Sequence, residues 1–195
     1  MVCKQITAWK TFNGTSDFVS IPSSSSLQLP KFSVAVWFRT DKDYTIAVED
    51  GMIVNKGGTG QSEPGRNQNY NIRVFKSTNK IRAGFETSGA TDHEPSSINK
   101  VNDGQWRHCV VTYDGQKVRL YHEGGLIATD TTSSTPDYKN TQPLVIGKNS
   151  YDNTRYFKGD ISQVLIWNRA ISGTEVNNLY ETGAINTSGL VYRSN

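Results

Sequence analysis

The sequence predicts an all-β protein: a two-sheet antiparallel sandwich with one short C-terminal helix. Three observations support this fold class. About ten short segments alternate apolar and polar residues, turn signals separate them, and the composition includes 9 Tyr, 7 Phe, 4 Trp and 17 Gly. Aromatic residues suit a pleated, half-buried surface and glycines suit tight turns. At 195 residues the chain has a suitable length for one sandwich, and we expect a single domain over residues 1–195.

The alternating segments define the strands in chain order. They lie at 18–21, 32–39, 51–56, 70–75, 80–86, 106–113, 117–122, 126–129, 143–147 and 161–167. The residues KSTN join the fourth segment to the fifth, and YDGQ joins the sixth to the seventh, so both pairs are predicted hairpins. We expect the segments 57–69 and 87–100 to form long polar loops, where binding residues are common.

Only the segment 172–182, SGTEVNNLYET, reads as a helix. Ser172 is a suitable N-cap, Glu175 completes a capping box, and Gly183 can end the helix. Because it follows the strongly apolar segment 161–167, we expect this helix to cover an edge or end of the finished sandwich.

Charge and hydropathy exclude two function classes. The net charge is +3 without a block of like charges, so we expect no nucleic-acid binding. No window approaches the ~18 apolar residues of a membrane helix, so we expect no membrane insertion. The sequence as read carries no signal-peptide pattern. Of the two cysteines, Cys109 lies in an apolar strand, and two unpaired thiols are favoured over a Cys3–Cys109 bridge.

Several ordered segments resemble the laminin G-like jelly roll of the concanavalin A-like lectin/glucanase superfamily, including its pentraxin branch. The similar stretches are FNGTSDFVSIP at 12–22, FSVAVWFR at 32–39, IVNKGG with YNIRV at 53–74, the hairpin at 103–125, and the closing strand and helix at 144–180. This resemblance covers nearly the whole chain. It implies a jelly roll that acts at the cell surface or outside the cell, within a larger multidomain protein or alone.

The superfamily also contains polysaccharide-cleaving enzymes, whose chemistry requires particular residues at particular spacings. Glycoside cleavage needs two carboxylates about 5–9 Å apart, which a strand supplies through acids two or four positions apart. No such array occurs, and no Gly-x-Ser-x-Gly nucleophile motif is present. The sequence therefore favours a protein without catalysis.

One sheet face is the first candidate ligand site. The alternation is expected to bury Val34, Val36, Phe38, Ile72, Val74, Ile81, Ala83 and Phe85. The same alternation would direct Trp37, Arg39, Arg73 and Arg82 outward together. An aromatic ring among arginines suits sugar stacking and contacts with carboxylate or sulfate groups, which predicts an acidic glycan. The second candidate site is the loop that carries Tyr151, Arg155 and Tyr156. The sequence favours the two candidate ligand sites nearly equally.

Two places offer oxygen ligands of the kind that Ca²⁺ prefers. Asn149 and Asp152 lie in the loop 147–157, and the resemblance to pentraxins implies calcium ligands in the matching loop. Either a solvated turn or a single calcium ion fits this loop. Asp17 and Asp160 form the second candidate, because first and last strands are neighbours in such jelly rolls.

The leading functional hypothesis is a lectin-like, carbohydrate-binding module for extracellular or cell-surface glycans, stabilised by Ca²⁺ if the ion binds. An adhesion domain that binds proteins, as in the laminin G branch, is the alternative. A polysaccharide-cleaving enzyme is the third.

Overall fold

The computed structural model describes residues 6–58 and 66–194, and in these ranges it contains fourteen strands and one α-helix. The strands are β1 (Lys10–Asn13), β2 (Val19–Ile21), β3 (Phe32–Arg39), β4 (Gly51–Lys56), β5 (Tyr70–Phe75), β6 (Lys80–Glu86), β7 (Asp92–His93), β8 (Ser96–Lys100), β9 (Arg107–Tyr113), β10 (Lys117–His122), β11 (Gly125–Thr131), β12 (Leu144–Ile146), β13 (Lys158–Trp167) and β14 (Leu190–Arg193). A 3₁₀ turn spans Ser25–Leu27 and the helix α1 spans Gly173–Thr182.

The strands form two antiparallel sheets that pack face to face. The helix-side sheet has the order β1-β13-β3-β9-β10-β11, with β14 also paired to β13. The loop-side sheet has the order β2-β12-β4-β5-β6-β7, with β8 paired to β6. All eight side chains expected to point inward from β3, β5 and β6 are buried in the core between the sheets. The predicted sandwich and both predicted hairpins are confirmed.

The helix α1 covers the outer face of the helix-side sheet. Val176 and Leu179 of α1 pack with Ala35, Val110, Leu165 and Trp167 in a second, smaller apolar cluster. Trp167 ends β13, and its Nε1 donates to the carbonyl of Asn186 at 2.7 Å. The predicted cap is confirmed, because Ser172 and Glu175 form a capping box and Gly183 ends α1 in the left-handed conformation.

The Glu175 carboxylate should make a measurable, pH-dependent contribution to stability. Hydrogen bonding to Arg169 lowers the pKa of Glu175 to about 2. Because this pKa lies below that of an unfolded glutamate, the contribution is present above about pH 4.5 and is lost as the pH falls toward 2. We expect Glu175→Gln to lower the free energy of unfolding by about 1 kcal/mol at pH 7. Urea unfolding at pH 7 and at pH 2.5 checks this, since the difference between the two proteins should shrink at low pH; a constant difference would contradict it.

Four strands lie outside the segments that periodicity selected: β1, β7, β8 and β14. The prediction of one long polar loop over 87–100 is wrong, because β7 and β8 lie within it and pair with β6. In β8 only Ser97 is buried, so this edge strand shows no apolar alternation. Backbone hydrogen bonds to β6 hold β8 in place, and such hydrogen bonds do not require a particular sequence pattern.

Two further features bear on the expectations from composition. Cys109 is a free, fully buried thiol, and burial raises its pKa. Cys3 lies outside the described residues. Within the described ranges, no helix has the length and apolar character that a bilayer span requires.

Candidate functional site

A row of polar and aromatic side chains crosses four neighbouring strands of the helix-side sheet. Thr11 of β1 lies opposite Asp160 of β13, and Asp160 lies opposite Arg39 of β3. Trp106 directly precedes β9, whose residue Arg107 pairs with the neighbour of Arg39. Trp9 lies two positions before Thr11 and therefore extends toward the same side of the sheet. We call Trp9, Thr11, Arg39, Trp106 and Asp160 the tryptophan–arginine surface.

An ion pair holds the centre of this surface. Arg39 Nε donates to Asp160 Oδ2 at 2.6 Å, and Thr11 Oγ1 donates to Asp160 Oδ1 at 2.6 Å. The Arg39 side chain is 38 % exposed and that of Asp160 is 13 % exposed. The carboxylate is thus fixed by a donor on each oxygen, while the guanidinium still reaches solvent.

Both indole rings contact the guanidinium of Arg39. Its Cζ lies 5.6 Å from the ring centroid of Trp9 and 5.1 Å from that of Trp106. The two rings are 6.1 Å apart in an edge-to-face arrangement. Ser162 Oγ also donates to the carbonyl of Ala8 at 2.6 Å, which anchors the chain beside Trp9. Trp9 is nevertheless 50 % exposed, so a large aromatic surface is held in place and open to solvent.

A shallow depression of about 270 Å³ adjoins Arg39. It is lined by Arg39, Thr40, Asp41, Gly104, Gly159 and Asp160. Gly159 has a φ of +142°, and a side chain there would collide with the carbonyl of Arg39. The glycine therefore allows β13 and β3 to approach closely where the ion pair forms.

The predicted face of Trp37, Arg39, Arg73 and Arg82 is wrong, because these residues belong to different sheets. Trp37 and Arg39 lie on β3 in the helix-side sheet, whereas Arg73 and Arg82 lie on β5 and β6 in the loop-side sheet. All four point outward, but on opposite sides of the sandwich. Trp37 is also only 6 % exposed, since its ring stacks on Tyr180 of α1 with centroids 5.7 Å apart.

Arg73 and Arg82 take part in a buried ion-pair network on the loop-side sheet. Arg73 Nη2 donates to Glu94 Oε2, and Arg73 also lies 3.6 Å from Asp50. Arg82 Nε lies 3.8 Å from the same Glu94 oxygen, and Asn71 Nδ2 donates to Glu94 Oε1 at 2.6 Å. The Arg73 and Glu94 side chains are 3 % and 0 % exposed. In this network, carboxylates of the protein itself are the ion-pair partners of Arg73 and Arg82.

The loop 147–157 places its aromatic residues beside the loop-side sheet. Tyr151 is exposed, and Arg66 Nη1 donates to its hydroxyl at 3.0 Å. Tyr156 forms an isolated bridge to Met52, and the backbone N–H of Arg155 donates to Glu49 at 2.7 Å. Ligand binding at Tyr151, Arg155 and Tyr156 stays a prediction.

The candidate calcium ligands of this loop bond one another. Asn149 Nδ2 donates to Asp152 Oδ1 at 2.9 Å, and Thr154 Oγ1 donates to the same oxygen. Asn149 Oδ1 accepts from Asn55 at 3.2 Å. Asn149 therefore turns its amide nitrogen toward Asp152, and in this arrangement the two side chains do not present converging oxygens.

The second candidate calcium site consists of Asp17 and Asp160. It was predicted because the first and last strands were expected to be neighbours. β1 lies beside β13, as expected, but Asp160 is bonded to Arg39 and Thr11, while Asp17 Oδ2 accepts from the backbone N–H of Asn13 at 3.0 Å. In the described part of the chain, no group of three or more His, Cys, Asp and Glu side chains is placed to hold a metal ion. Calcium binding at Asn149, Asp152, Asp17 or Asp160 stays a prediction.

Sequence reasoning missed Trp9, Thr11 and Trp106. The spacing of Trp9 and Thr11 was a usable signal, because residues two positions apart in a strand lie on the same face. Both residues directly precede the segment 12–22 that resembles an opening strand. The sequence pattern places Trp106 in the strand 106–113, whereas in the structure this strand, β9, begins one residue later, at Arg107. The convergence of these residues depends on the pairing of β1 with β13, whose contact between Thr11 and Asp160 spans 149 positions.

Comparisons with known proteins agree with this fold. A family model described as the concanavalin A-like lectin/glucanases superfamily matches residues 13–177. No curated protein matches the chain.

Three solved structures illustrate the similarity. A carbohydrate-binding protein from Bacteroides ovatus, described as putative, has 13 % identity and a TM-score of 0.67, with 95 % of this chain and 52 % of that chain covered. Domain 4 of an extracellular arabinanase from Geobacillus stearothermophilus, in complex with arabinotriose, has 18 % identity and a TM-score of 0.65 over 92 % and 80 %. A pentraxin from Limulus polyphemus has 16 % identity and a TM-score of 0.61 over 90 % and 82 %. The chain thus spans about half of the Bacteroides protein, and these likenesses show the fold.

Proposed function

Because the chain belongs to the concanavalin A-like lectin/glucanase superfamily, we propose that it is a lectin-like, carbohydrate-binding module that binds glycans without cleaving them. The tryptophan–arginine surface is the proposed site. The observation that supports this site most directly is the exposure of Trp9. Its indole is half exposed, although Arg39 and Trp106 hold it in place.

The chemistry of this surface suits a sugar ring. The apolar face of a pyranose stacks on an indole, and a ring already held in place loses little conformational entropy on binding. Arg39 offers hydrogen-bond donors beside the indole, and Asp160 offers acceptors. The adjoining depression gives room for a second sugar unit.

Binding without catalysis is supported by the position of the carboxylates. Asp160 is bonded to Arg39 and Thr11, and Glu94 and Asp50 are engaged with Arg73. These acids are tied into ion pairs, whereas a glycosidase needs an acid and a base that face the same bond.

We extend the proposal to extracellular or cell-surface glycans. The support is the likeness to domain 4 of the arabinanase, a protein described as extracellular and bound to arabinotriose. A protein-binding adhesion domain remains the alternative function, and the following experiment separates the two.

We expect Trp9→Ala to weaken glycan binding about tenfold, since a lost stacking contact costs about 1–1.5 kcal/mol. A glycan array identifies bound glycans, and calorimetry then compares the wild-type protein with the variant. Tyr151→Ala is the matched control, because it removes an exposed aromatic ring in the second candidate site, the loop 147–157. If Tyr151→Ala abolished binding and Trp9→Ala did not, the site would lie in the loop 147–157. An array without any bound glycan would overturn the proposed function.

A further inference from the structure

The charges of the tryptophan–arginine surface bear on which sugars it can hold. Arg39 is the cation at its centre, and Asp160 neutralises it at 2.6 Å. Asp41 lines the adjoining depression and adds a second negative charge nearby. The arginine beside the exposed indole is therefore already balanced by a carboxylate of the protein.

The hydrogen-bond geometry leads to the same conclusion. Asp160 takes the Nε of Arg39, so one edge of the guanidinium is already occupied by a carboxylate of the protein. The two Nη groups remain as donors, and each Asp160 oxygen has a second lone pair. A donor and an acceptor thus stand side by side. Two adjacent hydroxyl groups match this pattern, because one accepts from Arg39 while the other donates to Asp160.

Resting on the glycan-binding function proposed above, we propose that the Arg39–Asp160 pair selects neutral sugars with two adjacent hydroxyl groups over uronic or sulfated sugars. This reverses the acidic-glycan preference expected from the sequence, which assumed that Arg39, Arg73 and Arg82 act together. A carboxylate ligand would have to compete with Asp160 for Arg39 and would lie close to Asp41. A neutral diol meets neither cost.

The test uses glycans in matched pairs that differ only in a hydroxymethyl or carboxylate group at C6, or in one sulfate. The wild-type protein is expected to prefer the neutral member at least about threefold. Its affinity for that member should change little between 50 and 500 mM NaCl, since no net charge is paired on binding. Preference for the acidic member, with binding that weakens in salt, would overturn the inference while leaving the glycan-binding function intact.

Asp160→Asn is the decisive variant. It keeps the side-chain shape but frees the charge of Arg39, so affinity for the acidic member should rise at least about fivefold and become salt-dependent. Arg39→Gln is the second variant, and it should weaken binding of both members without reversing the preference. Asp114→Asn is the matched control: it breaks an Arg119–Asp114 ion pair of the same 2.6 Å length outside the tryptophan–arginine surface, so the neutral preference should persist.

Circular dichroism verifies that each variant is folded. An unchanged ratio of neutral to acidic binding in Asp160→Asn would overturn the proposed selection. Absence of binding to every glycan by the wild-type protein would instead overturn the glycan-binding function, and this inference with it.

Discussion

Glu94→Ala should lower the free energy of unfolding by about 3–5 kcal/mol, the largest loss that we expect from a single substitution in this protein. The Glu94 carboxylate bonds Arg73 and Asn71, and its side chain is fully buried. Its removal leaves the Arg73 guanidinium buried without its directly bonded carboxylate, and the next ion-pair partner, Asp50, lies at 3.6 Å. Solvent cannot compensate, because the Arg73 side chain is 3 % exposed.

Urea unfolding at pH 7 measures this effect. Asp103→Ala is the matched control, since Asp103 pairs with Arg107 at the surface and is 49 % exposed, and it should cost less than about 1 kcal/mol. If Glu94→Ala alone fails to fold, the triple variant Asp50→Asn, Arg73→Met and Glu94→Leu should recover most of the stability, because apolar side chains can replace a buried ion pair and Asp50 is not left as an unpaired charge. A loss below about 1 kcal/mol in Glu94→Ala would show that the network is far better hydrated than the structure indicates.

Lys56→Met should cost about 3 kcal/mol, because one buried ammonium serves four oxygen atoms. Lys56 Nζ lies 2.7 Å from the carbonyl of Gln142 and 3.0 Å from Ser23 Oγ, from the carbonyl of Asn140 and from Asn140 Oδ1. Burial lowers the pKa of Lys56 to about 8, so the ammonium is still mostly protonated at pH 7. Methionine has a similar length and no donor, and it would remove the ammonium donor from the carbonyl of Gln142 and from Asn140 Oδ1, whereas the carbonyl of Asn140 keeps Gln28 Nε2.

Thermal and urea unfolding of Lys56→Met check this result against Lys76→Met. Lys76 makes an exposed hydrogen bond to the carbonyl of Val48, so its replacement should change stability by less than about 0.5 kcal/mol. Equal, small effects of the two substitutions would mean that the oxygens around Lys56 find other donors.

Local patterns in the sequence were sufficient for much of the fold. The alternation in Phe32–Arg39, Tyr70–Phe75 and Lys80–Glu86 gave the strand bounds found in the structure. It also identified which side chains face the core. The capping box at Ser172 and Glu175 was predicted equally well, since all of its hydrogen bonds join residues within one helical turn.

The candidate site could not be predicted in the same way. Alternation shows that Trp37, Arg39, Arg73 and Arg82 point outward, but it does not show to which sheet each strand belongs. β3 and β5 lie in opposite sheets, and the helix α1 then covers Trp37 while leaving Arg39 open. Both facts depend on contacts between segments that are distant in the chain.

The sequence by itself determined the two-sheet sandwich, the inward side chains and the capped helix, because each is marked by a pattern among residues a few positions apart. Only the tertiary structure decided where the arginines lie, which tryptophan stays exposed, and that Trp9, Arg39, Trp106 and Asp160 meet. The physical reason is strand pairing: backbone hydrogen bonds join β1, β13, β3 and β9 side by side, and they are the same for any side chain. The order of strands is therefore set by the packing of the whole domain, and so is the surface that we propose binds neutral glycans.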